Sequence, residues 1–277
     1  NLKLTQIRKF PLSPAAHVAY SDKMKYILQL ATLLSLAFAT LTATAQNNGS
    51  NSPYSRYGYG LLNDGGNAFN KAMGGTAYGF RKGNELNQKN PASYSAIDSL
   101  SFLFDFGLTM QNGVFKANGR KIHAQNTSID YISAGFRLAP RFGMSLGLMP
   151  YTSIGYNISQ EKPIQTVPTE INQTTTFSGE GGLHIVYLGF GWEPIRNFSI
   201  GFNAGYLWGD LSHTVYNDFD DNNINTTQQL YRTDLRSYKI DFGAQYSFLL
   251  SKKNKLTLGL TYGLGHDIDR DAVFYDQ

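Results

Sequence analysis

The sequence contains no cysteine. A disulfide scaffold, a thiol nucleophile and a thiolate metal site are thereby excluded. Charge is also scarce. Asp, Glu, Lys and Arg make up 16% of the 277 residues, against roughly 25% in ordinary soluble domains. Long apolar runs are absent except for Tyr26 to Leu41. The net charge of +4 gives no evidence for a polyanion partner. Lys3, Arg8, Lys9, Lys23, Lys25 and Asp22 lie in the first 45 residues, and nineteen charges of each sign remain beyond them. The five histidines, His17, His123, His184, His213 and His266, fall into no metal-binding spacing, and there is no phosphate loop and no H-E-x-x-H motif. One G-x-S-x-G match occurs at Gly143–Gly147, but it sits inside an alternating run, where the sharp turn that exposes a hydrolase serine has no place. Gly179-Glu180-Gly181-Gly182 lacks the lysine of a phosphate loop and reads as a turn or strand entry. These absences point away from an enzyme, and no cofactor, metal or nucleic-acid partner is expected.

Glycine and aromatics are plentiful, with Gly 28, Tyr 18 and Phe 18. The amino-terminal region reads as an address. Met24-Lys25 opens a short basic stretch, the apolar run follows, and Ala43-Thr44-Ala45 gives an A-x-A cleavage signal before Gln46. Residues 24–45 are therefore expected to be a secretory signal peptide, and residues 1–23 an untranslated upstream extension. Residues 46–98 are rich in Asn, Gly and Ser, with a short helix expected over Ala68 to Ala77 and a turn at Asn90-Pro91-Ala92-Ser93-Tyr94. They read as a compact plug of turns and short helices.

From Ser99 the hydrophobic period becomes two. Seven alternating runs follow, near 102–110, 132–138, 144–158, 186–192, 198–208, 238–248 and 256–264. Phe202, for example, falls on the apolar face, and Gly201 and Asn203 on the other. Short connections at 139–142, 194–197 and 251–255 alternate with long polar segments at 111–127, 159–177 and 212–233. That asymmetry, with runs of about ten residues and aromatics near their ends, predicts an all-β fold, a transmembrane antiparallel β-barrel. Lipid offers no partner to a free strand edge, so the sheet is expected to close. Asp105, Arg137, Lys239 and Asp241 fall on the polar faces and are candidates for a charged lumen network. Outer-membrane lipid is the expected surrounding.

The segments Ala72-Met73-Gly74-Gly75-Thr76-Ala77 and Asn90-Pro91-Ala92-Ser93-Tyr94, with Ser52-Pro53-Tyr54-Ser55-Arg56-Tyr57-Gly58 and Gly147-Leu148-Met149-Pro150-Tyr151, resemble FadL-like outer-membrane transport proteins of the Bacteroidetes-type branch. The resemblance covers about residues 52–265. It implies an amino-terminal hatch over 46–98, with Met73, Gly74, Gly75, Asn90, Pro91 and Ala92 as the hatch motif. It also implies a fourteen-stranded barrel and passive transport of hydrophobic small molecules such as long-chain fatty acids. Tyr151, Tyr156 and Ile158 are candidates for an outer hydrophobic site. Seven runs are half of fourteen, so residues 99–277 are expected to form the first half of a carboxy-terminally truncated barrel, with 266–277 opening a polar loop. The alternative function is a structural or secretion-associated outer-membrane barrel that acts as a protein shuttle, with secretion-machinery proteins as partners.

Overall fold

The computed structural model describes residues 52–99, 101–117, 119–165, 170–221, 223–252 and 254–276. The signal peptide expected at 24–45 and the extension at 1–23 lie outside the described residues. Among the described residues one antiparallel sheet contains ten strands: β1 (Leu61–Leu62), β2 (Phe102–Ala117), β3 (Arg120–Ala139), β4 (Phe142–Pro150), β5 (Thr152–Gln165), β6 (Glu170–Ile195), β7 (Phe198–Phe219), β8 (Thr227–Leu249), β9 (Lys255–Gly263) and β10 (Asp269–Asp276). One helix, α1 (Ala68–Ala72), and two 3-10 turns, Pro53–Arg56 and Pro91–Ala96, belong to the segment before the sheet.

The sheet path runs β10-β8-β7-β6-β4-β3-β2. β8 pairs with β9 through Asp241–Leu249 and with β10 through Gln229–Arg236. β6 likewise pairs with β4 along one half and β5 along the other. The expectation of a closed transmembrane barrel is corrected here. The sheet is an open, curled half-barrel whose edges stand 22 Å apart. Alternation assigns each residue to a face, whereas closure depends on strand number, tilt and stagger together, which the period does not encode.

The expected long loops are corrected as well. Most of 111–127, 159–177 and 212–233 is strand, because β2, β3 and β5 to β8 run on well past the alternating stretches. In these outer parts neither face is consistently apolar, so the period of two fades while backbone pairing continues. Residues 269–276, expected as loop, form β10. The two-residue turns match the short connections. Arg141 and Asn197 close them at φ 63° and φ 70°.

Exposure alternates along the alternating stretches. Val186 and Leu188 are exposed while Tyr187 is buried, and Phe202 is exposed while Asn203 is buried. The convex face thus carries Phe104, Phe106, Leu146, Leu188, Trp192, Phe202, Tyr206 and Leu258 uncovered. The concave face is lined with glycine and small polar residues. Against it lies the segment 52–99. A Cβ on Gly191 or Gly201 would stand 2.5 Å from atoms of Pro91, so the glycines of β6 and β7 let the Pro91–Ala96 turn press directly onto the strands.

Candidate functional site

The segment 52–99 is fixed to the sheet by polar groups in three places. The first is Asn90, fully buried at the start of the Pro91–Ala96 turn. Its Oδ1 accepts from the Ala92 amide at 3.2 Å, and its Nδ2 donates to the carbonyls of Tyr78 at 2.7 Å and Ala244 at 3.2 Å. The second is Arg81. Its Nη1 donates to the Ala92 carbonyl at 3.0 Å and to the hydroxyls of Ser95 and Ser199, each at 2.8 Å. Its Nη2 donates to Glu193 Oε2 at 2.7 Å. Glu193 lies in β6 beside the turn to β7, and its Oε1 accepts from the Asn197 amide at 2.8 Å. Burial pushes the Arg81 pKa down, and Glu193 acts to raise it back.

The third place is the tip of β4. Between Pro150 and Ile154 four residue steps face three on β6, from His184 to Gly181. Proline cannot donate to a ladder, and Gly181 and Gly182 sit at φ 110° and φ 151°, where other residues are strained. The strand kinks, and Thr152 Oγ1 accepts from the Leu183 amide at 3.0 Å. β3 bulges at a matching height. Gly107 pairs with Tyr131 and Leu108 with Ile129, which leaves Asp130 as the extra residue. The last pair shared by β3 and β4 is Ile132 with Leu148. Beyond it β3 pairs with β2 and β5 pairs with β6, so the wall splits.

The segment 52–72 straddles this split. On the β5 side Leu61 and Leu62 pair antiparallel with Ser153 and Thr152. The Ser52 amide donates to the Gly155 carbonyl at 3.1 Å, and the Asn63 amide to the Tyr151 carbonyl at 2.9 Å. On the β3 side Lys71 pairs with Asp130, and the Ala68 amide donates to the Tyr131 hydroxyl at 2.8 Å.

The candidate residues are distributed as follows. Met73 is exposed at the end of α1, and Gly74 and Gly75 terminate the helix at φ 67° and φ 84°. Asn90, Pro91 and Ala92 are buried against β6 to β8. The four lumen candidates do not meet. Lys239 and Asp241 pair with each other, Asp105 accepts from the Tyr131 hydroxyl at 3.2 Å, and Arg137 Nε donates to the Ala139 carbonyl at 3.1 Å. Tyr156 is buried with Ile154, Leu183, Leu207, Leu211 and Leu235, and Tyr151 packs on that cluster, but Ile158 is exposed. A cavity of 540 Å³ lies between the segment and the wall, lined among others by Gln88, Met149, Tyr151, Asn203 and Lys239. Gln88 and Asn203 are each 6% exposed.

Sequence reasoning missed Arg81, Glu193, Ser199 and the Asp130 bulge. Only the repeated glycine of the concave strands hinted that a second layer lies there. Ser145, the serine of the G-x-S-x-G match, is buried mid-strand and bonds the Ala134 carbonyl and the Tyr187 hydroxyl, each at 3.1 Å. Among the described residues no group of three or more His, Asp or Glu could hold a metal ion. The arrangement holds a segment in a sheet.

The fold is an open antiparallel sheet with an apolar convex face and an inner segment bridging a split. Residues 25–273 match the family model described as BamG, and the chain belongs to that family, a family of outer-membrane proteins associated with the BAM complex. Outer-membrane association follows from this membership. No curated protein and no solved structure matches. The resemblance to FadL-like transporters is corrected by this match, and with it the expected porin-like hatch transport of fatty acids. The glycine-rich and Asn-Pro-Ala segments that carried the resemblance report how an inner segment docks on glycine-lined strands. That is a packing requirement, and it does not specify cargo.

Proposed function

We propose that this protein works with the BAM complex in the biogenesis of outer-membrane proteins, in a non-enzymatic role. The observation that carries the reading is the family match over residues 25–273. The architecture supports it: an open sheet stiffened by an inner segment offers edges and a split wall, which suit contact with other β-proteins better than a sealed channel does. In this reading the convex face meets outer-membrane lipid near the tight turns, where about ten residues per strand suffice to cross. The remaining length of β6, β7 and β8, which have 26, 22 and 23 residues, projects beyond. The partners are lipid and the proteins of the complex.

The test is affinity purification of the tagged protein from detergent-solubilised outer membranes, followed by depletion in cells. Co-purification with BAM subunits, and loss of folded outer-membrane proteins on depletion, are expected. A protein that purifies free of the complex, with unchanged outer-membrane protein levels on depletion, refutes the reading.

A further inference from the structure

The split between β3 and β5 lies within the chain, flanked by paired strands on both sides. Two irregularities at one height flank it: the Asp130 bulge in β3, and on the other side Pro150 with the extra residue opposite Gly181 and Gly182. The two lips differ. The base of the β5 lip, Tyr151 to Gly155, is already covered by the chain's own residues 52–63, including β1 as a short added strand. Farther out the β5 lip carries Glu161, Lys162 and Pro163, the charge and proline that blunt a sheet edge against pairing.

The β3 lip carries Arg120 and Lys121 only at its far tip, and the one charge nearer the split, Asp130, is taken up by Lys71. From Thr127 to Tyr131 its residues are Thr, Ser, Ile, Asp and Tyr, with no proline or lysine. Above the split β2 and β3 continue as a two-stranded ribbon, from Leu108 paired with Ile129 out to Ala117 paired with Arg120. A two-stranded ribbon is marginal by itself in water, and a third strand or a packed layer stabilises it. The chain's own solution on the opposite lip is an antiparallel strand. We propose that the β3 lip takes an extended segment of another subunit of the BAM complex as an added strand, running along Thr127–Tyr131 into the split. This rests on the function proposed above for the identity of the partner. A resident subunit is favoured over a passing client because a marginal ribbon needs its third strand continuously. Main-chain hydrogen bonds supply the affinity of such an addition, and alternate side chains supply its specificity.

The chain has no cysteine, so single-cysteine variants place a photoreactive benzophenone at one site. Q125C, T127C and I129C are introduced one at a time in the full protein and photolysed within the purified BAM complex. T214C, whose residue is flanked by Ser178 and Leu230 on neighbouring strands, is the control. The expected result is adducts to one stretch of one subunit. The partner position should step by two residues, in one direction, as the probe moves from 125 to 127 to 129, because a strand repeats every two residues. Thr214 should give none.

Adducts without that register, equal labelling from T214C, or no adducts in an intact complex overturn the proposal. So does a register that maps onto a second copy of this chain, or one that arises only after an unfolded barrel precursor is added. A protein that does not purify with the complex fails the functional reading itself. A protein that co-purifies without register fails only the strand.

Discussion

Replacing Arg81 by alanine tests how the inner segment is held. The Arg81 and Glu193 side chains are 11% and 16% exposed, and the guanidinium makes four hydrogen bonds, two within the segment and two that join it to β6 and β7. Removing one member of a buried pair leaves the other charge without its partner, at a cost of about 3–5 kcal/mol. Here Glu193 keeps only the Asn197 amide, so the lower bound is the reasonable figure. With roughly 1.4 kcal/mol per decade, a loss of about 3 kcal/mol raises the detached population of the segment by a factor of roughly 100. Trypsin cleavage after Lys89 reports that population, because Lys89 is mostly buried and paired with Asp64 in the docked state. Arg81→Ala should speed that cleavage about 100-fold in detergent-solubilised protein. Arg81→Lys should fall between, since lysine keeps the charge and loses the planar fork. A double-mutant cycle with Glu193→Ala should give a coupling above about 1 kcal/mol. Unchanged cleavage in Arg81→Ala, or additive effects in the cycle, would refute the reasoning.

Gly201→Ala places a Cβ 2.5 Å from the Pro91 carbonyl carbon and should destabilise the docked segment by about 1–3 kcal/mol, read as a lower melting temperature. Asn90→Ala removes a buried cap with three hydrogen bonds and should cost about 2–3 kcal/mol, with faster proteolysis; equal protease resistance would count against it. Tyr94→Phe is a contrast. The Tyr94 hydroxyl is buried beside Ser145, Tyr187 and Asn203 without a hydrogen bond of good geometry to any of them, and burial pushes its pKa well up, so its removal should be nearly neutral, within about 1 kcal/mol. Phe202→Arg, on the exposed convex face, should hinder membrane assembly at a cost of about 2–4 kcal/mol if it sits at mid-membrane; normal insertion would place Phe202 away from lipid.

How far the sequence could be read depends on the element. The turn at Pro140-Arg141 and the faces of β4, β6, β7 and β8 were legible because burial on one side forces a period of two. Asn90 and Pro91 were legible as a turn because their chemistry is local. Arg81 was not. Its partners Ser199 and Glu193 lie 118 and 112 residues away, and nothing near Arg81 marks it. The outer parts of β5 and β6 were read as loop because Gln160 to Gln165 and Asn172 to Thr176 show no apolar alternation, although pairing holds them. Of the three residues suggested for a hydrophobic site, Tyr156 lies in one buried cluster, Tyr151 packs on it and Ile158 stands apart. Tyr156 and Ile158 both lie on β5 past the kink, and Tyr156 is covered by the leucines of β6 to β8 while Ile158 is exposed.

By itself the sequence determined an antiparallel all-β sheet with a convex apolar face, because alternation and tight-turn residues act over a few neighbours. It also placed glycine and small polar residues on the opposite face of the runs. Only the tertiary structure decided that the sheet stays open, that strands continue through the polar segments, and that the wall splits between β3 and β5. The split goes with the paired irregularities at Asp130 and between Pro150 and Ile154, and the polar segments are held as strand by pairing with neighbouring strands. Each is a relation between distant parts of the chain, and no local pattern records it.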